Sequence, residues 1–362
     1  MKVYGEPTRS IRSVDGGMAV EIIDQTSLPF RYEKVVLTDW RDCVEAIREM
    51  RVRGSTLTGI AGIWAMVLAT KENPSNEALK VAADVITRAR PTSASLSWAV
   101  HRVLTTLVPR EPSQRFVAAV RLAEEITQAD VLSNRAIGEA GMSLIADLYS
   151  RLRRPVNILT VGNSGWLSTV DYGTALSSVY MAFEQGTPLH VWITETRPCH
   201  QGLLSAWEMR QIGVPHTLVA DGAVGQLMQK GDVDLVMVGA SHMTRRGDFA
   251  SEIGTYLTAL AAQDNDVPFY VAAPVSVMDW HITDGKREID IESRTPSEVL
   301  GVRGLDRGGN PLTVELAPLD EAATNPAFDI THNRFVTGII TERGIVTTVE
   351  LATVFSDRQP KI

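Results

Sequence analysis

The stretch VNILTVGNSGW at Val156–Trp166 decides the fold. A strand-length apolar run, Val156–Val161, ends in a short glycine loop. Similar runs follow at Leu189–Ile193, His216–Val219, Leu235–Val238 and Phe269–Ala273. Helical text separates them at Thr169–Glu184, Leu204–Gln211, Val224–Gln229 and Ile253–Gln263. Alternating strand and helix predicts an α/β, Rossmann-like parallel sheet with helices on both faces. Such sheets bind ligands beyond the C-terminal ends of their strands. Here those ends are Gly162-Asn163, Thr194-Glu195, Asp221-Gly222, Gly239–His242 and Ala273-Pro274, so the site is expected on that rim.

Upstream the text is different. Residues 1 to about 30 read as short strands and turns, with Gly16-Gly17 as a turn and Met18–Asp24 as an apolar run. Helices follow. Asp39 is placed to cap a helix whose Trp40, Cys43, Ile47 and Met50 recur at helical spacing. Thr56–Thr70 predicts an apolar helix rich in Gly and Ala. One long helix is expected from Pro112 to about Ala129, and another from Ser133 to about Arg153. The chain thus divides into a mostly helical N-terminal domain, 1–150, and a Rossmann-like domain, 151–362.

Two domains also suit 362 residues. The formal net charge of −8 argues against a nucleic-acid partner, which wants a basic face. No window approaches the roughly 20 apolar residues of a membrane span, and the N-terminus lacks a signal peptide's apolar core. Cys43 and Cys199 are too few for a disulfide scaffold, and the seven histidines show no metal-ligand spacing. The cytoplasm is the expected location, and no metal is expected.

Several segments could carry chemistry. In MRVRGSTLTGIAG at Met50–Gly62, Arg53 supplies a charge while Gly54 and Ser55 open a helix with exposed N–H groups, which suits an anion. A plain helix start explains the same residues. Arg90 precedes Pro91 and a run of small hydroxylated residues. The GNSG loop at Gly162–Gly165 suits a phosphate on its N–H groups, or is simply a tight turn; it is not the dinucleotide fingerprint G-x-G-x-x-G. Glu195 and Arg197 are expected to form an ion pair on the rim. Cys199 beside His200, and His242 beside Ser241, are candidates for nucleophile or acid–base work, although adjacent residues often point apart.

Many segments in order resemble the methylthioribose-1-phosphate isomerases. Among them are RSIRSVDGG from Arg9, AIREMRVRGS at Ala46–Ser55, RPTSASLSWAV, SNRAIGEAG at Ser133–Gly141, DYGTAL at Asp171–Leu176, HVWITETRP, QGLLSAWE, GDFASEIGTY and TNPAFDITHNRFVTGIITERGIV at Thr324–Val346. The same fold serves ribose-1,5-bisphosphate isomerases and regulatory subunits of the eukaryotic exchange factor for translation initiation. The resemblance implies a homodimer that converts an aldose 1-phosphate to the matching ketose phosphate without a cofactor. It places the substrate-binding positions at Arg53, Gly54, Ser55, Arg90 and Gln201.

Three departures accompany it. Gly162 stands where the resemblance implies a cysteine, and Ser241 where it implies an aspartate; these two would be the acid–base pair. Glu252 stands where it implies a lysine. At about 4 Å and an intermediate dielectric, each charge interaction is worth on the order of 4 kcal/mol, so an anionic ligand would meet repulsion there. The first expectation is therefore a phosphorylated or related polar substrate handled by altered chemistry, with Ser241, His242 and Cys199 as catalytic candidates. The alternatives are a non-catalytic homologue that senses a metabolite or binds a protein, and a conventional methylthioribose-1-phosphate isomerase.

Overall fold

The computed structural model describes residues 1–318 and 320–358. The chain opens with a small ladder, β1 (Lys2–Val3) and β2 (Glu6–Pro7). A three-stranded antiparallel sheet follows, with β3 (Ile11–Val14), β4 (Ala19–Ile23) and β5 (Lys34–Leu37) in that order. Helix α1 (Trp40–Arg48) begins where expected, because the Asp39 side chain accepts from the Arg41 N–H. Helices α2 (Ser55–Glu72), α3 (Asn76–Thr87) and α4 (Ala94–Leu107) pack around one another. Almost every α2 residue is buried, as a helix apolar all round must be. Trp64, Leu57, Leu79 and Leu96 are buried in this cluster, each contributing roughly 1.5–3 kcal/mol.

Helix α5 runs unbroken over Pro112–Leu152. This corrects the two helices expected on either side of residues 130–132. Its polar middle is partly engaged from outside the helix: the Asp130 carboxylate accepts from the Val170 N–H, and Ser177 Oγ donates to the Asn134 main-chain carbonyl, while the Asn134 amide itself has no partner among the described residues.

The large sheet comprises β6 (Val156–Thr160), β7 (Leu189–Thr194), β8 (His216–Val219), β9 (Leu235–Gly239), β12 (Phe269–Ala272), β17 (Gly338–Thr341) and β18 (Gly344–Val346). Its order is β18-β17-β12-β9-β6-β7-β8, parallel throughout except for β18. Helices α6 (Ala175–Glu184), α7 (Gln201–Ile212), α8 (Val224–Gln229) and α9 (Thr255–Asp264) occupy the connections. Consecutive residues point to opposite faces. Ile158 accordingly enters the apolar cluster shared with α5, α6 and α7, while Leu159 enters the cluster shared with α8 and α9. Burial on both faces explains the continuous apolar runs in the sequence.

A further four-stranded sheet was not anticipated. Strands β10 (His242–Thr244) and β11 (Phe249–Glu252) form a hairpin beyond the end of β9. They join β13 (Met278–Asp279) and β16 (Phe328–Thr331) in the order β13-β10-β11-β16. A separate hairpin, β14 (Gly301–Leu305) with β15 (Pro311–Glu315), completes the strands.

Candidate functional site

Two adjoining clefts open at the C-terminal rim of the large sheet. The larger, with about 750 Å³ of empty space open to solvent, is walled by Arg53, Arg90, Arg294, Gln201, His242 and Glu252. Cys199 and Ser55 also face it. The second is lined by hydroxyls, among them Ser164, Thr169, Thr174 and Ser251. Gly54, Ser55, Ser241 and Glu252 belong to both walls. The structure therefore brings all the candidates named from the sequence — Arg53, Gly54, Ser55, Arg90, Gln201, Cys199, Ser241 and His242 — to one cavity system.

The cationic end is built by the start of α2. Gly54 has φ +91°, and a Cβ there would run into the Ser168 backbone, so only glycine lets this turn approach so closely. No side chain caps α2, whose N-terminus therefore presents unpaired N–H groups and a partial positive charge. Arg53 Nε donates to the Met50 carbonyl at 3.2 Å, and among the described residues no carboxylate pairs with its guanidinium. Burial works against its charge, with Arg294 adding repulsion. Arg90 is different. Its Nη2 lies 2.6 Å from Glu292 Oε2, while its buried Nε has no partner. Arg294 pairs with Glu298 and approaches Glu292 at 3.4 Å.

The titratable groups divide by environment. Burial pushes the Cys199 thiol up to about 11, so it stays protonated at neutral pH; its Sγ donates to Glu298 Oε2 at 3.6 Å. Burial lowers His242, leaving a neutral imidazole, and its Nε2 stands 3.6 Å from Asp279 Oδ2 without a hydrogen bond. Burial raises Glu252 to about 7, while Arg90, Gln201, Arg53 and Arg294 draw it down.

Two expectations are corrected. Glu195 and Arg197 form no ion pair: Arg197 donates to the carbonyls of Val299 and Gly301 and meets His200, and Glu195 lies 3.8 Å from His200 Nδ1. The GNSG loop is not an open anion cradle either. Gly162 N–H donates to Thr196 Oγ1 and Gly165 N–H to Asn163 Oδ1. The next two N–H groups, of Trp166 and Leu167, donate to the buried Glu208 carboxylate. An internal carboxylate already fills the role proposed for a ligand.

Sequence reasoning missed Glu292 and Arg294, which come from irregular chain, and Glu298, in a four-residue helix too short to show periodicity. It read Glu252 only as a source of repulsion.

Residues 51–348 match the family model described as the Initiation factor 2 subunit family. The chain belongs to this family. A methylthioribose-1-phosphate isomerase of Acidiphilium cryptum is 48% identical over 362 residues, covering 99% of this chain and 98% of its own length. Among solved structures, the 5-methylthioribose 1-phosphate isomerase of Pyrococcus horikoshii OT3 superposes with a TM-score of 0.84 at 33% identity, over 98% of this chain and 97% of that one. The translation initiation factor eIF-2B delta subunit from A. fulgidus gives 0.79 at 35% identity, over 97% and 100%. Chains similar to this one are thus named both as isomerases and as a translation initiation factor subunit. Among the described residues, no helix is long and apolar enough to cross a membrane.

Proposed function

We propose that the chain is a sugar-phosphate isomerase that converts methylthioribose 1-phosphate to the corresponding ketose 1-phosphate in the rim cavity. The observation that carries this reading is Arg53: a guanidinium without a carboxylate partner, beside the uncapped N-terminus of α2, in the same cleft as a carboxyl and an imidazole. A phosphate dianion suits the first pair, and N–H groups at a helix start favour it. Hydroxyl-lined walls in the second cleft suit the sugar oxygens. The names of the similar proteins support a conventional isomerase better than the altered chemistry placed first in the sequence analysis. Gly162 and Ser241 then require another group to move the proton.

Purified protein mixed with methylthioribose 1-phosphate should form ketose product by ¹H NMR. Arg53→Ala should lower kcat/KM by about a hundredfold or more, in line with losing a charge-assisted contact of roughly 3 kcal/mol. Absence of both turnover and any thermal-shift response to the substrate would defeat the reading. A thermal shift without turnover would favour the ligand-sensing alternative, for which the likeness to a translation factor subunit speaks. A homodimer in the cytoplasm fits the same reading, and sedimentation equilibrium tests the dimer.

A further inference from the structure

Among the described residues, two carboxyls lining the cavity stand outside any ion pair, the exposed Asp290 and the half-buried Glu252, and only Glu252 reaches both clefts. Glu252 ends β11, lines both clefts, and belongs to none of the ion pairs formed by its cationic neighbours. Its side chain lies directly over Gly162, at the end of β6. A Cβ built on Gly162 would stand 2.5 Å from Glu252 Cγ and 3.1 Å from its Cβ. The absence of a side chain at 162 and the presence of the carboxyl are thus one spatial arrangement. Across the hairpin His242 pairs with Ala250, so His242 and Glu252 rise two positions apart on the same strand face.

We propose that Glu252 is the catalytic residue that takes the proton from C2 and, after exchanging with solvent in the open cleft, returns a proton to C1, working from the space above Gly162. This rests on the isomerase reading given above. The carboxylate takes the C2 proton, and that electron pair forms the C1=C2 bond as the C1–ring-oxygen bond opens. The ring oxygen takes a proton from the His242 imidazole or a water it holds. In the second half the C2 hydroxyl returns a proton to that group and becomes the carbonyl, while the Glu252 carboxyl delivers its proton to C1. The phosphate stays on C1, both protein groups regain their starting states, and no oxidant or reductant is needed.

The surroundings suit a group that must both take and give a proton. Burial brings the carboxyl to about 7, where both forms are populated at neutral pH. The groups facing it are Arg53 at the start of α2, Arg90 after α3, Gln201 at the start of α7, Arg294 from the loop before β14, and the protonated Cys199. The positive charge of the three arginines and the Gln201 amide keep the pKa from rising further. The repulsion expected for an anion at this position is reduced when the carboxyl is protonated.

The test uses wild type, Glu252→Gln and Glu252→Asp with methylthioribose 1-phosphate, reading Kd by calorimetry and kcat by NMR. Glu252→Gln should bind substrate and lose at least about a hundredfold in kcat, the usual scale of positioned acid–base catalysis. The wild-type pH profile should show an ascending limb near 7. Wild-type reaction in D₂O should place deuterium at C1, because the carboxyl exchanges with solvent between the two steps. A smaller loss in Glu252→Gln overturns the assignment, and so does product free of deuterium at C1. Should Glu252→Gln fail to fold by circular dichroism, Glu252→Asp and the deuterium result decide by the same criteria. A wild type that neither binds nor converts the substrate overturns the isomerase reading itself. An active wild type with an active Glu252→Gln overturns this assignment alone.

Discussion

Gly162 shows how tightly the candidate site constrains a single residue. Its φ of +73° lies in the left-handed region, and the Glu252 side chain occupies the space a Cβ would need. Gly162→Ala should therefore destabilise the protein by about 1–3 kcal/mol through strain and overpacking. Combining it with Glu252→Ala should recover part of that loss, since the clash is removed and the backbone strain is not. Urea denaturation of the four proteins measures the coupling, and strict additivity would refute it. Arg53 and Arg90 were legible because an arginine before a helix start has a recognisable context, whereas Gln201, the first residue of α7, was marked only by the resemblance. Glu252 was visible only as a charge. Its meaning depends on an empty volume at a residue 90 positions away, and no local pattern encodes that.

At the scale of elements, five of the six parallel strands were legible from their apolar runs, most of them continuous because both faces are buried, while β17 was not singled out. The β10–β11 hairpin was not, since three- and four-residue strands give no readable alternation. Helix α5 was misread at its middle, where Ser133 and Asn134 resemble a helix start. Asn134 is instead fully buried against neighbours. The same helix uses glycine to meet α6. A Cβ on Gly141 would press on the Ser178 side chain, its Cβ 2.7 Å away. Gly→Ala inside a helix ordinarily gains about 1 kcal/mol from propensity. Here Gly141→Ala should destabilise, by about 1–3 kcal/mol, because the contact admits no methyl group. A higher thermal midpoint for the variant would show that the helices separate easily.

For the whole molecule, buried acids make stability depend on pH. Burial raises Glu252 and Glu208 to about 7, and Asp130 and Asp329 to about 6. Each pKa exceeds its unfolded value, so the stability these groups contribute is fully present below about pH 4 and is lost as pH rises through 6 and 7. His190, His200 and His242 have lowered pKa values, chiefly from burial, and their contribution is lost as pH falls through about 6.5. The two sets oppose below pH 6.5, and only the glutamates act above it. The thermal midpoint should decline from pH 6.5 to 8 and then level off. A midpoint that climbs over that interval would contradict the burial of these carboxyls. We retain the division near residue 150 as a proposal about folding units. Ile137 and Ile145 of α5 and Val3, Ile23 and Leu28 join the apolar cluster of the large sheet, so the second unit is expected to need the first to cover that face.

The Arg90–Glu292 pair has a consequence for affinity. Glu292 offers Arg90 a carboxylate from 202 positions along the chain, at 2.6 Å, on the wall where a ligand anion would sit. The protein thus carries its own rival for that guanidinium, tethered and permanently present. An incoming phosphate must displace it, and the measured affinity is the intrinsic one reduced by the fraction of time the tether is open. Glu292→Gln weakens the rival without emptying the wall. Inorganic phosphate should then bind Glu292→Gln several-fold more tightly than wild type by calorimetry; equal or weaker binding would mean that Arg90 takes no part in holding the anion.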